Sequence, residues 1–173
     1  MSKIREAKLT SVNSKTIIAG AKALGYKTTD KMIDFGVSRG SFEVMKNGSI
    51  KGDFDYVTKL GTVELPKDIE KRPAAMVGIL AQAGSISRIA EHLEPQGWSV
   101  EKNYSEGTLV AKRGSEQVDV RADRTGKVSS EGTNFQGNAC STVLDTFMEL
   151  LGNYNVTNET SKVEPQQVIR TQI

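Results

Sequence analysis

The sequence has little of what disulfide frameworks, membrane spans or exported chains require. Its 173 residues include one cysteine, which excludes an intramolecular disulfide. The N-terminus carries no apolar signal segment, and no apolar run approaches the roughly 18 residues of a transmembrane helix. We therefore expect a cytoplasmic protein without membrane contact. A chain of this length can bury a core without a covalent staple.

Motifs that bind phosphates or metals are also missing. The sequence contains neither a G-x-x-x-x-G-K-[ST] loop nor a G-x-G-x-x-G turn after a strand. The single histidine, His92, and the single cysteine, Cys140, stand far apart, and no carboxylates at ligand spacing accompany them. We predict no cofactor, no metal and no catalytic residue, and hence a protein that is not an enzyme.

Two features are candidates for chemistry. Cys140 falls in the first turn of a predicted helix, where the helix dipole favours a reactive thiolate, but free cysteine is also a common core residue, and we favour the structural thiol. Asp53 and Asp55 alternate around Phe54, so a strand would place both carboxylates on one face, for acid–base work or cation binding. Here we favour solvated residues of an edge strand.

Basic residues are concentrated in the first two thirds of the chain. Residues 1–113 carry 18 Lys and Arg against 13 Asp and Glu, whereas residues 114–173 carry 5 against 8. Lys15 and Lys22 share one face of a predicted helix, and Lys27 follows it. These three lysines are the candidate contact for an anion or a partner, although the interpretation that we favour from the sequence is an ordinary solvated face. A nucleic-acid contact is less favoured because aromatic residues for base stacking are scarce there.

The longest helical pattern lies in the middle of the chain. It begins at Pro73, which suits a first helical turn, and Pro95 and Gly97 stop it. Because Gly84 interrupts the pattern, a helix-turn-helix with residues 86–93 as recognition helix is an alternative. Apolar residues at spacings of three and four define one buried face: Ile79, Ala83, Ile86, Ala90 and Leu93.

Strands are predicted on both sides of this helix. Before it we expect a strand over 3–12, a helix from Asn13 or Ser14 to Leu24, a hairpin around Asn47-Gly48 that joins 42–46 to 49–54, and a strand near 61–65. After it we expect hairpins over 99–112 and 117–131, then a helix that ends at Gly152.

The predicted fold class is α+β, with two small units of antiparallel strands packed on helices and sharing the central helix. The first unit (strand, helix, strands, long helix, hairpin) covers 1–113, and the second (hairpin and helix) covers 114–157. Residues 158–173 are polar and predicted to be a loosely attached tail, in which Val168 and Ile169 are a candidate edge strand.

Two parts of the chain resemble families of unknown function. LTSVNSKTIIAGAKALGYK and LAQAGSISRIAEHLEPQGWSVEKNYSEGTLVAKR resemble the family first catalogued as hypothetical chloroplast reading frame thirty-five. VDVRADRTGKVSSEGTNFQGNACSTVLDTFMELLG, followed by Lys162–Pro165, is similar to a second short family of cyanobacteria and other bacteria. The positions that match the pattern of the second family are Asp123, Gly126, Gly137, Cys140, Leu151 and Gly152.

The resemblance implies a fusion of two modules that act on each other. The two families are usually encoded side by side, often near AAA-type ATPases, which implies such an ATPase as a partner. Neither family supplies an activity or a catalytic residue to carry over.

The sequence therefore favours a non-enzymatic cytoplasmic binding or adaptor protein. Its expected partner is another protein, with an AAA-type ATPase and further copies of the chain as candidates. One alternative is a nucleic-acid-binding accessory protein that uses the basic N-terminal third. The other is a protein that sequesters a small molecule or nucleotide, of the kind a virus encodes against a host signal.

Overall fold

The computed structural model describes residues 5–7, 12–135, 157–163 and 166–172, with side chains over 12–135. Helix α1 covers Ser14–Ala23, helix α2 covers Arg72–Leu93, and short 3-10 turns cover Phe54–Tyr56, Ile69–Lys71 and Glu94–Gln96. The strands are β1 (Arg5–Ala7), β2 (Lys27–Thr28), β3 (Met32–Asp34), β4 (Ser41–Val44), β5 (Ile50–Gly52), β6 (Lys59–Leu60), β7 (Val63–Glu64), β8 (Ser99–Asn103), β9 (Thr108–Arg113), β10 (Glu116–Ala122), β11 (Val128–Thr133), β12 (Thr157–Val163) and β13 (Gln166–Gln172). The predicted α+β fold class is confirmed.

All strand pairs are antiparallel and form two main sheets. The first has the order β1-β5-β4-β3-β2 and the second the order β12-β13-β11-β10-β9-β8, while β6 and β7 form a separate hairpin. The predicted Asn47-Gly48 turn joins β4 to β5: Gly48 has φ +87°, and the Asn47 side chain accepts a hydrogen bond from the N–H of Ser49. Local turn chemistry thus sets the register of this hairpin.

Helix α2 belongs to both hydrophobic cores. Its first half contributes Met76 and Leu80 to a core with the first sheet, and its second half contributes Ile86 and Ile89 to a core with the second sheet. Each such side chain, once fully buried, stabilises the fold by roughly 1.5–3 kcal/mol relative to an exposed one. The central helix therefore contributes to both cores. The hairpin of β8 and β9, which the sequence-based division placed in the first unit, lies in the second sheet beside β10. The five residues of the predicted inward face are all at most 1% exposed: Ile79, Ala83, Ile86, Ala90 and Leu93.

The helix-turn-helix alternative is wrong, because α2 is one continuous helix through Gly84. Helix α1 runs antiparallel to α2 and crosses it at this point, where a β-carbon on Gly84 would collide with the carbonyl oxygen of Thr16. The glycine therefore allows two helices to approach closely rather than breaking one of them. Most of the would-be recognition helix, from Ile86 to Leu93, faces the core.

Both interpretations of Asp53 and Asp55 are also wrong: the two residues are neither paired carboxylates on a strand nor solvated residues of an edge strand, since Asp53 is only 8% exposed. Strand β5 ends at Gly52, and the Asp53 carboxylate caps the following 3-10 turn by accepting a hydrogen bond of 3.2 Å from the N–H of Asp55. A hydrogen bond from the backbone to an aspartate side chain favours a turn over a continued strand. The turn buries Phe54 completely in the core. The two carboxylates consequently do not share a strand face.

The C-terminal residues contain more regular structure than a loose tail. Strand β13, which includes Val168 and Ile169, pairs with β11 on one side and with β12 on the other. It is thus an inner strand of the second sheet, and β12 forms the edge. Ladder hydrogen bonds come from the backbone, so a polar segment can form them without an apolar pattern. The predicted helix that ends at Gly152 lies outside the described residues.

Candidate functional site

A groove of about 480 Å³ lies between α1 and the second half of α2. One wall is a stripe of α1 residues, the opposite wall comes from α2, and the loops after β2 and β8 close the groove. The lining residues are Ser14, Lys15, Ile18, Ala19, Lys22, Ala23, Asp30, Ser87, Glu91 and Tyr104.

The sequence of α1 explains why this stripe faces outward. Asn13 caps the helix by accepting a 3.0 Å hydrogen bond from the N–H of Thr16. Ile17 and Ala21, four residues apart, are fully buried against the first core. Ile18, Ala19 and Ala23 are only partly buried, so their apolar side chains line the groove.

The structure brings Lys15 and Lys22 together on the groove, as two of the three lysines singled out from the sequence. They are exposed and stand about 10 Å apart along the helix axis, given a rise of roughly 1.5 Å per residue. Neither forms an ion pair with any residue that the structure describes. Lys27 lies in β2 opposite Asp34 and does not line the groove.

The α2 wall adds residues that sequence reasoning assigned only to a recognition helix. Ser87 is 8% exposed and lines the groove, yet its hydroxyl has no hydrogen-bond partner within the described part of the chain. Glu91 follows four residues later on the same face and is exposed. Helical periodicity places Ser87 and Glu91 on one face, but no feature of the sequence shows that α1 lies opposite them.

Arg88 connects the two walls next to the groove. Its Nη1 donates to Thr16 Oγ1 at 2.9 Å and to Asn13 Oδ1 at 3.4 Å, which ties the start of α1 to α2. Burial lowers the pKa of the Arg88 guanidinium, and the negative charge of Glu91 offsets part of this effect. Both acceptors of these hydrogen bonds are neutral oxygens, so neither of them compensates the charge of Arg88.

Tyr104 supplies the aromatic side of the groove. It is half-buried against the second core, and Lys102 Nζ lies 6.0 Å from its ring centroid. Lys102 also donates to Glu94 at 2.9 Å, and this hydrogen bond raises the pKa of Lys102. The ring is therefore held in place by the core on one side and by a paired lysine on the other.

The remaining predicted candidates do not join the groove. His92 is half-buried, and its Nε2 lies 3.0 Å from Gln96 Nε2. Cys140 lies outside the described residues. Within residues 12–135, where side chains are described, no cluster of three or more His, Cys, Asp or Glu could hold a metal. No helix of the described ranges is long and apolar enough to cross a membrane.

Comparison of the chain with family models, with curated proteins and with solved structures finds no match, so the resemblance to two families stays a prediction.

Proposed function

We propose that this chain is a non-enzymatic cytoplasmic binding or adaptor protein that holds its partner in the α1–α2 groove. The observation that carries the proposal is the pattern along α1: two lysines without ion-pair partners among the described residues flank an apolar stretch of Ile18 and Ala19. A small apolar centre with a polar rim is the usual anatomy of a protein interface.

The rigidity of the groove supports the same function. Its walls are two helices held together by the close crossing at Gly84 and by the hydrogen bonds of Arg88. Walls that do not reorganise on binding lose little conformational entropy, which favours affinity. A groove between two helices also suits a partner helix, a common mode of peptide recognition. On the basis of the family resemblance, we propose that this partner helix belongs to an AAA-type ATPase.

The test fills the groove with a bulky side chain. We expect Ala19→Trp to abolish partner capture from the native cell, because the indole would occupy the apolar centre. Ala74→Trp is the matched control, since Ala74 is exposed on the first turn of α2 and lies outside the groove. Tagged wild-type and variant proteins are compared by affinity capture and mass spectrometry, after thermal unfolding shows that all three are folded. Identical captured sets from all three would contradict the proposal.

A small-molecule binder is the second candidate, because about 480 Å³ falls within the roughly 300–1,000 Å³ of ligand pockets. An anionic metabolite or nucleotide that uses the lysines and Tyr104 would raise the melting temperature of wild type and of Ala74→Trp. It would leave the melting temperature of Ala19→Trp unchanged. The nucleic-acid alternative has less support, because the groove balances Lys15 and Lys22 with Asp30 and Glu91 and so offers no continuous positive surface for a phosphate backbone.

A further inference from the structure

We propose that the partner segment is an acidic amphipathic helix, with two carboxylates seven residues apart that pair with Lys15 and Lys22. This inference rests on the proposed function and names the chemistry of the partner. Both lysines are exposed, line the same groove and lack an ion pair with any described residue. Opposite charges are therefore the complement that this wall requires.

The spacing of the lysines favours a helix as the carrier of those charges. Positions seven residues apart lie on one face of an α-helix and about 10 Å apart along its axis. A partner helix lying alongside α1 with acidic residues at i and i+7 therefore matches both lysines at once. An extended strand would span the same distance in about three residues. Consecutive side chains of a strand point to opposite sides, so two carboxylates three residues apart would not both face the groove.

The residues between the lysines allow a partner helix to pack closely. Ile18, Ala19 and Ala23 form the centre of the stripe, and two of the three are alanines. Small side chains permit interaxial distances at the short end of the 8–10 Å range that packed helices adopt. The partner should therefore carry apolar residues at i+3 and i+4, between its two carboxylates.

A second copy of α1 does not satisfy these requirements. In an antiparallel pair centred between Ile18 and Ala19, Lys15 of one copy would lie opposite Lys22 of the other. In a parallel pair each lysine would lie beside the same lysine of the other copy. Both arrangements oppose like charges, which destabilises a helix pair. The stripe consequently favours a partner with a different, acidic face.

The α2 wall indicates which other side chains the partner helix should carry. Ser87 is largely buried but lines the groove, and Glu91 lies one turn further along. A partner helix with a hydrogen-bonding side chain at this position would contact the Ser87 hydroxyl in place of water. A lysine or arginine on the same side would meet Glu91. A nucleic acid carries no positive group that could meet Glu91, which separates this proposal from nucleic-acid binding.

The experiment is selection of helical 14-residue peptides from a randomised display library. It is run on wild type, on Lys15→Glu/Lys22→Glu, and on Ala19→Trp. We expect the wild type to enrich peptides with Asp or Glu at i and i+7 around apolar residues. The double variant should enrich Lys or Arg at those positions, and Ala19→Trp should enrich neither set. The best wild-type peptide should bind Lys15→Gln/Lys22→Gln with a Kd up to about thirtyfold weaker, which corresponds to two exposed pairs of up to about 1 kcal/mol each.

The proposal is overturned if enriched peptides lack the acidic pair, if both charge forms of the protein enrich the same sequences, or if no peptide is enriched. Tight DNA binding with a steep salt slope that the double variant removes would overturn it too. Because the exposed lysines can be changed without disturbing the core, thermal unfolding should be the same for both double variants. The Ala19→Trp capture experiment separates this proposal from the proposed function. If Ala19→Trp abolishes capture but no acidic peptides are enriched, only the acidic helix is rejected as partner. If Ala19→Trp captures the same proteins as wild type, the proposed function itself is rejected.

Discussion

Gly20 of α1 and Gly84 of α2 face each other, such that a β-carbon built on either one would lie 3.0 Å from the backbone nitrogen of the other. The same β-carbons would collide with the carbonyl oxygens of Leu80 and Thr16 respectively. The two helices therefore cross at a separation that only glycine permits at both positions. This crossing sets the width of the groove that α1 and α2 enclose.

Gly84→Ala should destabilise the protein, although alanine is the better helix former. Alanine would gain roughly 0.5–1 kcal/mol of helix propensity, but it would also force the helix backbones apart, and overpacking of this kind typically costs about 1–3 kcal/mol. We expect a net loss of stability in urea unfolding. Ala74→Gly, at an exposed site of the same helix, is the control and should lose only the propensity. A Gly84→Ala protein more stable than wild type would show that the crossing is looser than described.

Arg72→Met should weaken the attachment of the loop before α2. The buried Arg72 guanidinium donates to the carbonyl oxygens of Pro66 (2.7 Å), Asp55 (3.1 Å) and Phe54 (3.3 Å). Hydrogen bonds from charged groups each contribute about 1.5–3 kcal/mol, so we expect a loss of at least about 2 kcal/mol in denaturant unfolding. Lys71→Met, at the exposed neighbouring position, should change stability by less than about 0.5 kcal/mol. Equal effects of the two substitutions would reject the structural role of Arg72.

Asp123 should make stability depend on pH in the acid range. Partial desolvation would raise the pKa of the Asp123 carboxyl, but hydrogen bonds from Thr125 and Lys127, together with the Lys127 charge, hold it below its ordinary value of 3.8. Because the folded-state pKa is the lower one, the stabilisation is present above pH 3.8 and is lost as the pH falls through the folded-state pKa. Asp123→Asn should be less stable than wild type at pH 7, with the difference shrinking below pH 3.8. A difference that stays constant down to pH 2 would contradict this assignment.

Removal of residues 157–173 should destabilise the second sheet. The polar composition alone predicts little effect, but β13 pairs with β11, and its loss would expose the β11 edge to solvent. We expect faster amide exchange over 128–133 in the truncated protein, with unchanged exchange in β4, which belongs to the other sheet. Unchanged exchange over 128–133 would mean that β13 contributes nothing to the order of β11.

The parts of the fold that were predictable are those set by neighbours in sequence. The inward face of α2 follows from a spacing of three and four, and the hairpin at Asn47-Gly48 follows from two residues that accept positive φ. The function of Gly84 was not readable, because its contact is with Thr16, more than sixty residues away. A glycine in a helical pattern indicates either a break or a close approach, and only tertiary structure distinguishes them.

The α1 wall of the groove could be predicted from local periodicity, whereas the opposite wall depends on tertiary packing. Lys15 and Lys22 could be placed on one helix face by periodicity, but Lys27 was grouped with them only because it follows in sequence. Ser87 and Tyr104 reach the groove through the packing of α1 on α2 and the return of the chain through β8, and neither has a local signal. Asp53 was assigned to a strand because the predicted strand over 49–54 extended two residues past Gly52, into a capped turn.

The membership of α2 in two cores has a consequence for synthesis on the ribosome. Helix α1 and the first sheet can pack once α2 has emerged, but the side chains of Ile86, Ile89 and Leu93 are covered by strands that are made later. At roughly 5–20 residues per second, translation from the end of α2 to Phe135 takes about 2–8 s. For that interval these apolar side chains have no strands to cover them, and we expect a ribosome-associated chaperone to bind the nascent chain there.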